Sequence, residues 1–232
     1  MPPDVPRRAI VLADGAVPSR ADLDSAWPAW DEGVAFVVAA DGGLRHAGPL
    51  ALTIDSWVGD GDSIDPAALE ELERSGVPVE RVPTEKDASD TELALQLAQG
   101  AAAGQVILLG ALGGSRIDHA VSNLGLLGHP AFASGDVWLY DEFAARVSLL
   151  STLARPISRA FEGRVGDTVS LIPLGGDAFG VTTDGLRYPL DGEQLELGRT
   201  RGVSNVRTEP IARVTLEMGQ LLVIETPANL RP

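Results

Sequence analysis

The sequence contains no cysteine. Disulfide frameworks, thiolate-ligated zinc, iron–sulfur clusters and thiol nucleophiles are therefore excluded. Histidine is scarce as well: His46, His119 and His129 are scattered, and their spacing argues against a histidine-rich metal site. No apolar run reaches the ~18 residues that a bilayer span needs. The N-terminal MPPDVPRRAI carries no signal-type apolar stretch. These absences lead to the expectation of a soluble cytoplasmic chain without a membrane partner. Aromatic residues make up 5% of the chain, and lysine occurs once, as Lys86, against 17 arginines. A lone lysine among arginines suggests a place that wants a compact ammonium and not a planar guanidinium.

Charge is also one-sided. The net charge is −15, and residues 1–146 carry −14 of it, with 23 acidic and 9 basic side chains. A chain this acidic repels phosphate backbones, so no nucleic-acid partner is expected. Most of the carboxylates read as solvated surface. Those that cluster beside glycines are of more interest. At 232 residues the chain suits one large or two small domains, and about 70% of its unfolded surface can be buried on folding.

Through residue ~145, short apolar runs alternate with helical patterns. The runs 9–13, 35–40, 56–58, 77–82, 106–109 and 137–140 are rich in Val, Ile and Leu, as strands buried on both faces should be. Asp65-Pro66 opens one helix that stops at Gly76, with Asp as N-cap and Pro at N1. Helices are also expected over 87–103 and 118–128. This alternation predicts a mainly parallel, Rossmann-like α/β sheet. After residue 146 the helical patterns end. Strand-like runs at 157–161, 168–172, 179–183, 195–197, 211–216 and 220–224 follow one another across glycine-containing turns. The expectation is an α/β domain over 1–146 followed by an antiparallel β-sandwich over 147–232.

Ligands of open parallel sheets bind beyond the carboxyl ends of the strands. Asp/Gly clusters recur there: Asp14-Gly15, Asp41-Gly42-Gly43, Gly59-Asp60-Gly61-Asp62-Ser63, and Gly113-Gly114-Ser115-Arg116-Ile117-Asp118-His119. Glycines let backbone N–H groups approach phosphate closely. Asp60 and Asp62 can share a hard cation, and magnesium is held by one or two carboxylates plus substrate phosphates. In Glu85-Lys86-Asp87-Ala88-Ser89-Asp90-Thr91-Glu92, the spacing puts Asp87 and Asp90 on one face of the expected helix. It also puts Lys86 at that helix's N-terminus. Ser89 and Glu92 fit a capping box. Arg116 suits bidentate phosphate contact, and His119 is given a positioning role. Asn123 follows one turn later.

Taken together and in order, these motifs resemble the thiamine pyrophosphokinase family. That family shows a DGG stretch, a G-D-F-D-S loop, an E-K-D-x-T-D-x-E-L-A segment, and G-G-R-x-D-H followed by Asn. Later in the chain come G-L-K-[YW]-P-L and G-x-S-N. The late counterparts here are Gly185-Leu186-Arg187-Tyr188-Pro189-Leu190 and Gly202-Val203-Ser204-Asn205. Gly61 stands where the family has Phe, Ser89 where it has Thr, and Ser115 where Gly is usual; Val206 replaces a frequent acidic residue.

The resemblance implies transfer of pyrophosphate from ATP to thiamine by a homodimer whose active sites lie at the subunit interface. It implies that Asp60, Asp62 and Asp87 hold Mg2+. Asp62, Lys86, Asp87 and Arg116 would carry the catalysis. Gly42, Gly43, Ser63, Arg116, Asp118, His119 and Asn123 would bind ATP. Asp90 would face thiamine from one subunit, and Thr182, Tyr188, Ser204 and Asn205 from the other. The general base is left open, Asp62 being one carboxylate able to take the hydroxyl proton. Two other readings stay open: the same transfer to another small alcohol such as a pterin, and a non-catalytic nucleotide sensor.

Overall fold

The computed structural model describes residues 7–101, 104–133, 136–153 and 155–230. They form two compact units. Of these described residues, those within 7–126 and 137–143 make one, and those within 127–136 and 144–230 the other. Residues 127–133 thus pack with the second unit, although they precede the boundary suggested by the sequence. Gln220 Nε2 donates to Gly128 O at 3.4 Å, and His129 and Phe132 stack their rings 5.7 Å apart.

The first unit is built on six strands: β1 (Arg8–Leu12), β2 (Val34–Ala40), β3 (Ser56–Gly59), β4 (Val79–Arg81), β5 (Gln105–Leu109) and β6 (Asp136–Tyr140). Their order is β6-β5-β1-β2-β3-β4, and the pairs β1–β2, β1–β5, β2–β3 and β3–β4 are all parallel. Residues 9–12 and 107–109 are almost wholly shielded from solvent, which is why these runs carry no alternation. The chain extends the sheet outward from β1 to β4, then crosses back to place β5 on the other side of β1. The reversal between β1 and β5 opens a crevice at the carboxyl edge.

Among the described residues, four α-helices connect the strands: α1 (Arg20–Ala26), α2 (Pro66–Arg74), α3 (Asp90–Ala101) and α4 (Ile117–Leu126). Ser19 caps α1 by accepting from Asp22 N at 3.1 Å. Asp65 caps α2 through Ala67 N at 2.9 Å. Ser89 Oγ accepts from Glu92 N at 3.2 Å at the start of α3. This cap corrects the expected helix start. α3 begins at Asp90, so Asp87 and Asp90 do not share a helical face, and Lys86 lies four residues before the helix. The hydroxyl of Ser89 offers an N-cap that Asp87 does not use. The far end of the expected helix, Ala102 and Ala103, lies outside the described residues. α1 has no counterpart among the expected elements. It is short, with only Leu23 and Ala26 buried, too little to give a clear period.

The second unit holds β7 (Arg146–Ser151), β8 (Ile157–Glu162), β9 (Thr168–Pro173), β10 (Ala178–Asp184), β11 (Glu193–Leu195), β12 (Asn205–Val206), β13 (Ile211–Leu216) and β14 (Gln220–Thr226). Two antiparallel layers result, β12-β9-β14-β7 and β11-β10-β13-β8. Alternation sets the inner face: Ala212, Val214 and Leu216 of β13 are buried while Ile211 and Arg213 are exposed. The expected strand at 195–197 sits two residues earlier, because Leu197 N is tied down by Asp177 Oδ1 at 2.9 Å. β7 and the two-residue β12 were not anticipated.

Candidate functional site

The carboxyl edge of the first unit's sheet opens into a cleft of about 800 Å³. Strands β1, β2, β3 and β5 each deliver a short loop to it. Asp14 and Gly15 follow β1, Asp41 follows β2, Asp60 to Ser63 follow β3, and the loop after β5 runs into α4. The cleft is also lined by Lys86, Asp87 and Asp90 from the segment before α3, and by Arg116, His119 and Asn123 around the start of α4.

Asp41, Asp60 and Asp62 form the acidic centre, each offering a carboxylate oxygen within 4.8 Å of the others. Asp41 is buried, with φ +44°. Its two carboxylate oxygens accept from Gly61 N and Ser63 N, each at 3.2 Å. The Asp41 carbonyl accepts from Trp57 Nε1 at 3.0 Å. The buried β3 indole thus anchors the residue that organises the next loop. Burial pushes the Asp41 carboxyl above its ordinary range; the Ser63 hydrogen bond opposes that, and Asp62, Asp90 and Asp60 add repulsion. Asp60 moves the other way, chiefly because its carboxylate accepts from the Asp62 amide. Ser63 Oγ donates to Asp62 Oδ1 at 2.7 Å.

The set comprises three oxygen-donor carboxylates, one of them raised by its own burial. Such a set suits a hard divalent cation, which would relieve the crowding. Asp41 is the residue missed in the sequence, where its triplet drew notice for its glycines. Its position directly after β2 was the available signal. Asp87, expected as a ligand, lines the same cleft but is not part of this cluster.

Three cations face the same space, each matched to a carboxylate. Lys86 Nζ lies 3.1 Å from Asp90 Oδ1 and donates to Pro83 O at 3.1 Å. Arg116 grips Asp118 in a fork, Nε to Oδ1 at 3.0 Å and Nη2 to Oδ2 at 2.7 Å. That grip holds the Asp118 carboxyl well below the usual carboxylate range. Arg45, unforeseen in the sequence, is paired with Asp14. Beside it, burial lowers the His46 pKa, the Arg45 charge adds to this, and the ring's Nε2 lies 2.8 Å from Gly15 O.

Several expected ATP-binding residues also serve the scaffold. Gly42 and Gly43 are buried and do not line the cleft. A Cβ at Gly43 would collide with Leu12 O, and one at Gly42 with the Asp14 carboxylate. Asn123 is buried, and its Nδ2 donates to Ala111 O at 2.9 Å, fastening α4 to the loop after β5. His119 and Ser63 stay at the cleft wall.

In the second unit, Tyr188 is 61% exposed. Asn205 holds its backbone from both sides, accepting from Tyr188 N at 3.0 Å and donating to Tyr188 O at 2.7 Å. Ser204 is exposed at φ +61°, with its amide donated to Ser170 Oγ at 3.0 Å. Thr182 Oγ1 accepts from Gly192 N at 3.0 Å.

A parallel sheet whose carboxyl edge gathers acidic loops and fixed cations is the layout that α/β proteins use to bind phosphate groups. The comparisons narrow this class. The thiamin pyrophosphokinase catalytic domain matches residues 27–139, and the vitamin B1 binding domain of the same enzyme matches residues 157–221. The chain belongs to the thiamine pyrophosphokinase family. It is 28% identical over 165 residues to thiamine pyrophosphokinase 1 of Oryza sativa subsp. japonica, covering 68% of this chain and 60% of that protein, so the match spans less than two thirds of that relative. To the thiamine pyrophosphokinase of Bacillus subtilis it is 26% identical over 168 residues, covering 72% and 76%.

Among solved structures, the Bacillus subtilis thiamine pyrophosphokinase superposes with a TM-score of 0.77 at 22% identity, covering 95% of this chain and 99% of that one. An Enterococcus faecalis thiamin pyrophosphokinase family protein superposes with a TM-score of 0.76 at 25% identity, covering 95% and 98%. At 22% identity the likeness speaks for the fold. No helix among the described residues is long and apolar enough to cross a membrane.

Proposed function

We propose that this chain transfers the pyrophosphoryl group of ATP to the hydroxyl of thiamine, giving thiamine pyrophosphate and AMP. The observation that carries the reading is the convergence, in one cleft, of the Asp41–Asp60–Asp62 cluster with Lys86, Arg116 and Arg45. In the transfer, the thiamine hydroxyl oxygen bonds to the β-phosphorus, the bond from that phosphorus to the bridging oxygen breaks, and AMP leaves. Such transfers ask the protein mainly for alignment and charge neutralisation.

Asp41, Asp60 and Asp62 would hold magnesium, with Asp87 at the cleft wall beside them. When bound, the metal supplies positive charge to the phosphate oxygens. Lys86 and Arg116 fix further phosphate oxygens, and Arg45 extends that cationic wall beyond Asp14. A neighbouring carboxylate receives the hydroxyl proton. Ser63 and His119 orient the triphosphate. Asn123 and the Gly42-Gly43 pair act at one remove, by holding the loops in place.

Thiamine carries a cationic thiazolium, and the acidic first unit draws cations toward it. In the proposed homodimer, Asp90 of one subunit faces thiamine, and the partner's Tyr188 stacks on its pyrimidine ring. Thr182, Ser204 and Asn205 belong to that wall, and the enzyme works in the cytoplasm. The test is a mass-spectrometric product assay with ATP, magnesium and a panel of alcohol acceptors, including a pterin alcohol. AMP and thiamine pyrophosphate in equal amounts are expected. AMP formed only with another acceptor, or none at all, overturns the proposal.

A further inference from the structure

The second unit buries a charged cluster that the proposed reaction does not use. Arg207 and Glu225 are each 1% exposed. Arg207 Nη2 meets Glu225 Oε1 at 2.5 Å, and Arg146 Nε meets Glu225 Oε2 at 2.8 Å. The Arg207 Nη1 donates to Phe161 O at 2.6 Å and Pro210 O at 3.3 Å. A buried ion pair is weak evidence for stability, since apolar side chains of similar volume often serve as well. Its directional bonds can, however, fix a register that apolar packing leaves loose.

β12 is short, and on one side its bonds, Arg187 N to Val206 O and Thr208 N to Gly185 O at 2.9 Å each, run only to the turn segment that carries Tyr188. It pairs with β9 through two residues only, Asn205 with Val169 and Val206 with Thr168. Immediately after it, Arg207 N donates to Asp167 O at 2.8 Å, and Gly166 N donates to Arg207 O at 2.9 Å. Asn205 and Arg207 are both buried, with Val206 between them less so, which puts the two side chains on one face. A slip of one residue would turn Asn205 to the opposite face. It would then release both hydrogen bonds that hold the Tyr188 backbone.

We propose that the Arg207–Glu225 pair is a positioning device that locks the register of β12, so that Asn205 presents Tyr188 to an aromatic acceptor. The ligand side of this inference rests on the proposed thiamine reaction. Arg207 and Glu225 touch no substrate. They act through Asn205.

Amide hydrogen exchange and steady-state kinetics on the full chain test the proposal. Glu225→Gln keeps the shape and removes the charge. The Tyr188 amide should exchange at least ~10-fold faster while the amides of β10 and β13 keep their rates. The KM for thiamine should rise ~10-fold, the scale of one well-placed hydrogen bond. kcat and the KM for ATP should stay within ~2-fold. Glu225→Asp, which keeps the charge, should recover part of the loss.

Gly163→Ala gives an independent route should Glu225→Gln not fold. Its Cβ would lie 2.8 Å from Arg207 Nε and 3.0 Å from Cζ, displacing the guanidinium without removing a charge. Gly163 lies outside the left-handed region, so the backbone is not strained. The same Tyr188 signature is expected there. Unchanged Tyr188 exchange in either folded variant, or an equal rise in the KM of both substrates, overturns the proposal. If the wild type makes no thiamine pyrophosphate, the functional reading fails, and the exchange data still decide whether the pair positions Tyr188.

Discussion

Asp41→Asn separates the two jobs that the structure gives to Asp41, organising a loop and presenting charge. Asparagine tolerates the left-handed φ of +44° and has nearly the same shape. One of the two bonds to Gly61 N and Ser63 N is lost, because an amide NH2 would face an N–H. That costs about 1 kcal/mol. Against this, a carboxylate is removed from within 4.8 Å of two others. Unscreened at an effective dielectric of about 20, each pair repels by about 3 kcal/mol. Asp62 is exposed and Asp60 half-buried, so screening brings each pair nearer 1 kcal/mol.

Without metal, the variant should therefore match the wild type or exceed it by about 1 kcal/mol, a rise of roughly 2–4 °C in melting temperature for a chain of this size. The pH dependence follows from the raised Asp41 pKa. The folded carboxyl holds its proton above the ordinary 3.8, so the folded state binds more protons just above that pH. Wild-type stability then falls relative to the variant as pH rises through the interval between the unfolded and folded pKa values, and the gap is constant above it.

Magnesium reverses the order. At 100 times its dissociation constant, a cation bound only by the folded state adds about 2.7 kcal/mol, or roughly 5–11 °C. The variant should gain less than half of that. The assay is convenient because all four tryptophans, Trp27, Trp30, Trp57 and Trp138, lie in the first unit. Fluorescence melts therefore report the unit that holds the site. An equal magnesium gain in both proteins, or a variant melting more than about 5 °C lower in chelator, would refute the role given to Asp41.

Asp62→Asn should keep its melting temperature in chelator, since its carboxylate is exposed, and lose at least ~100-fold in turnover; near-normal magnesium-dependent turnover would remove it from the metal set. Lys86→Arg should slow turnover at least ~10-fold despite the conserved charge, because a planar fork cannot reproduce the ammonium's contacts to Asp90 and Pro83 O; an unchanged rate returns the single lysine to chance. Asp90→Ala and Tyr188→Ala homodimers should each be nearly inactive, while purified mixed dimers should regain about half the wild-type activity, because one of two symmetric sites escapes both changes; absence of rescue in verified mixed dimers rules out the shared site.

The parallel sheet was legible because both faces of β1, β2 and β5 are covered, leaving short unbroken apolar runs that nothing else explains. The helices announced by caps were legible too, with Asp65-Pro66 marking α2 to the residue. α3 was misplaced by three residues because Asp87, Ser89 and Asp90 are all competent near a helix start, and only the bond from Glu92 N to Ser89 Oγ decides among them. β7 escaped because its run 146–151 begins just where the strand–helix alternation stops. β12 escaped because it is two residues long. Its place is set by Arg207 and Glu225, 18 residues apart in sequence, and no local pattern carries that pairing.

For the site, residue type proved a better guide to the neighbourhood than to the role. Gly42, Gly43, Asn123 and Asn205 all fall in or beside the right loops, yet what distinguishes them is that each is also committed to the scaffold. Asn123 gives Nδ2 to Ala111 O, Asn205 gives both ends of its amide to Tyr188, and the missing Cβ atoms of the glycines make room for Leu12 O and the Asp14 carboxylate. A side chain committed in this way orients the loop that meets a ligand. Asp60, Asp62, Lys86 and Arg116 stand at the wall of an open cleft, the two cations already paired with Asp90 and Asp118. Asp41 stands between the groups: its two oxygens accept from the loop amides, and its carboxylate also lies within 4.8 Å of those of Asp60 and Asp62. In the proposed reaction, a carboxylate with two masters would couple loop geometry to cation binding. In sequence it reads as an aspartate before two glycines, because the amides it serves are 20 and 22 residues away.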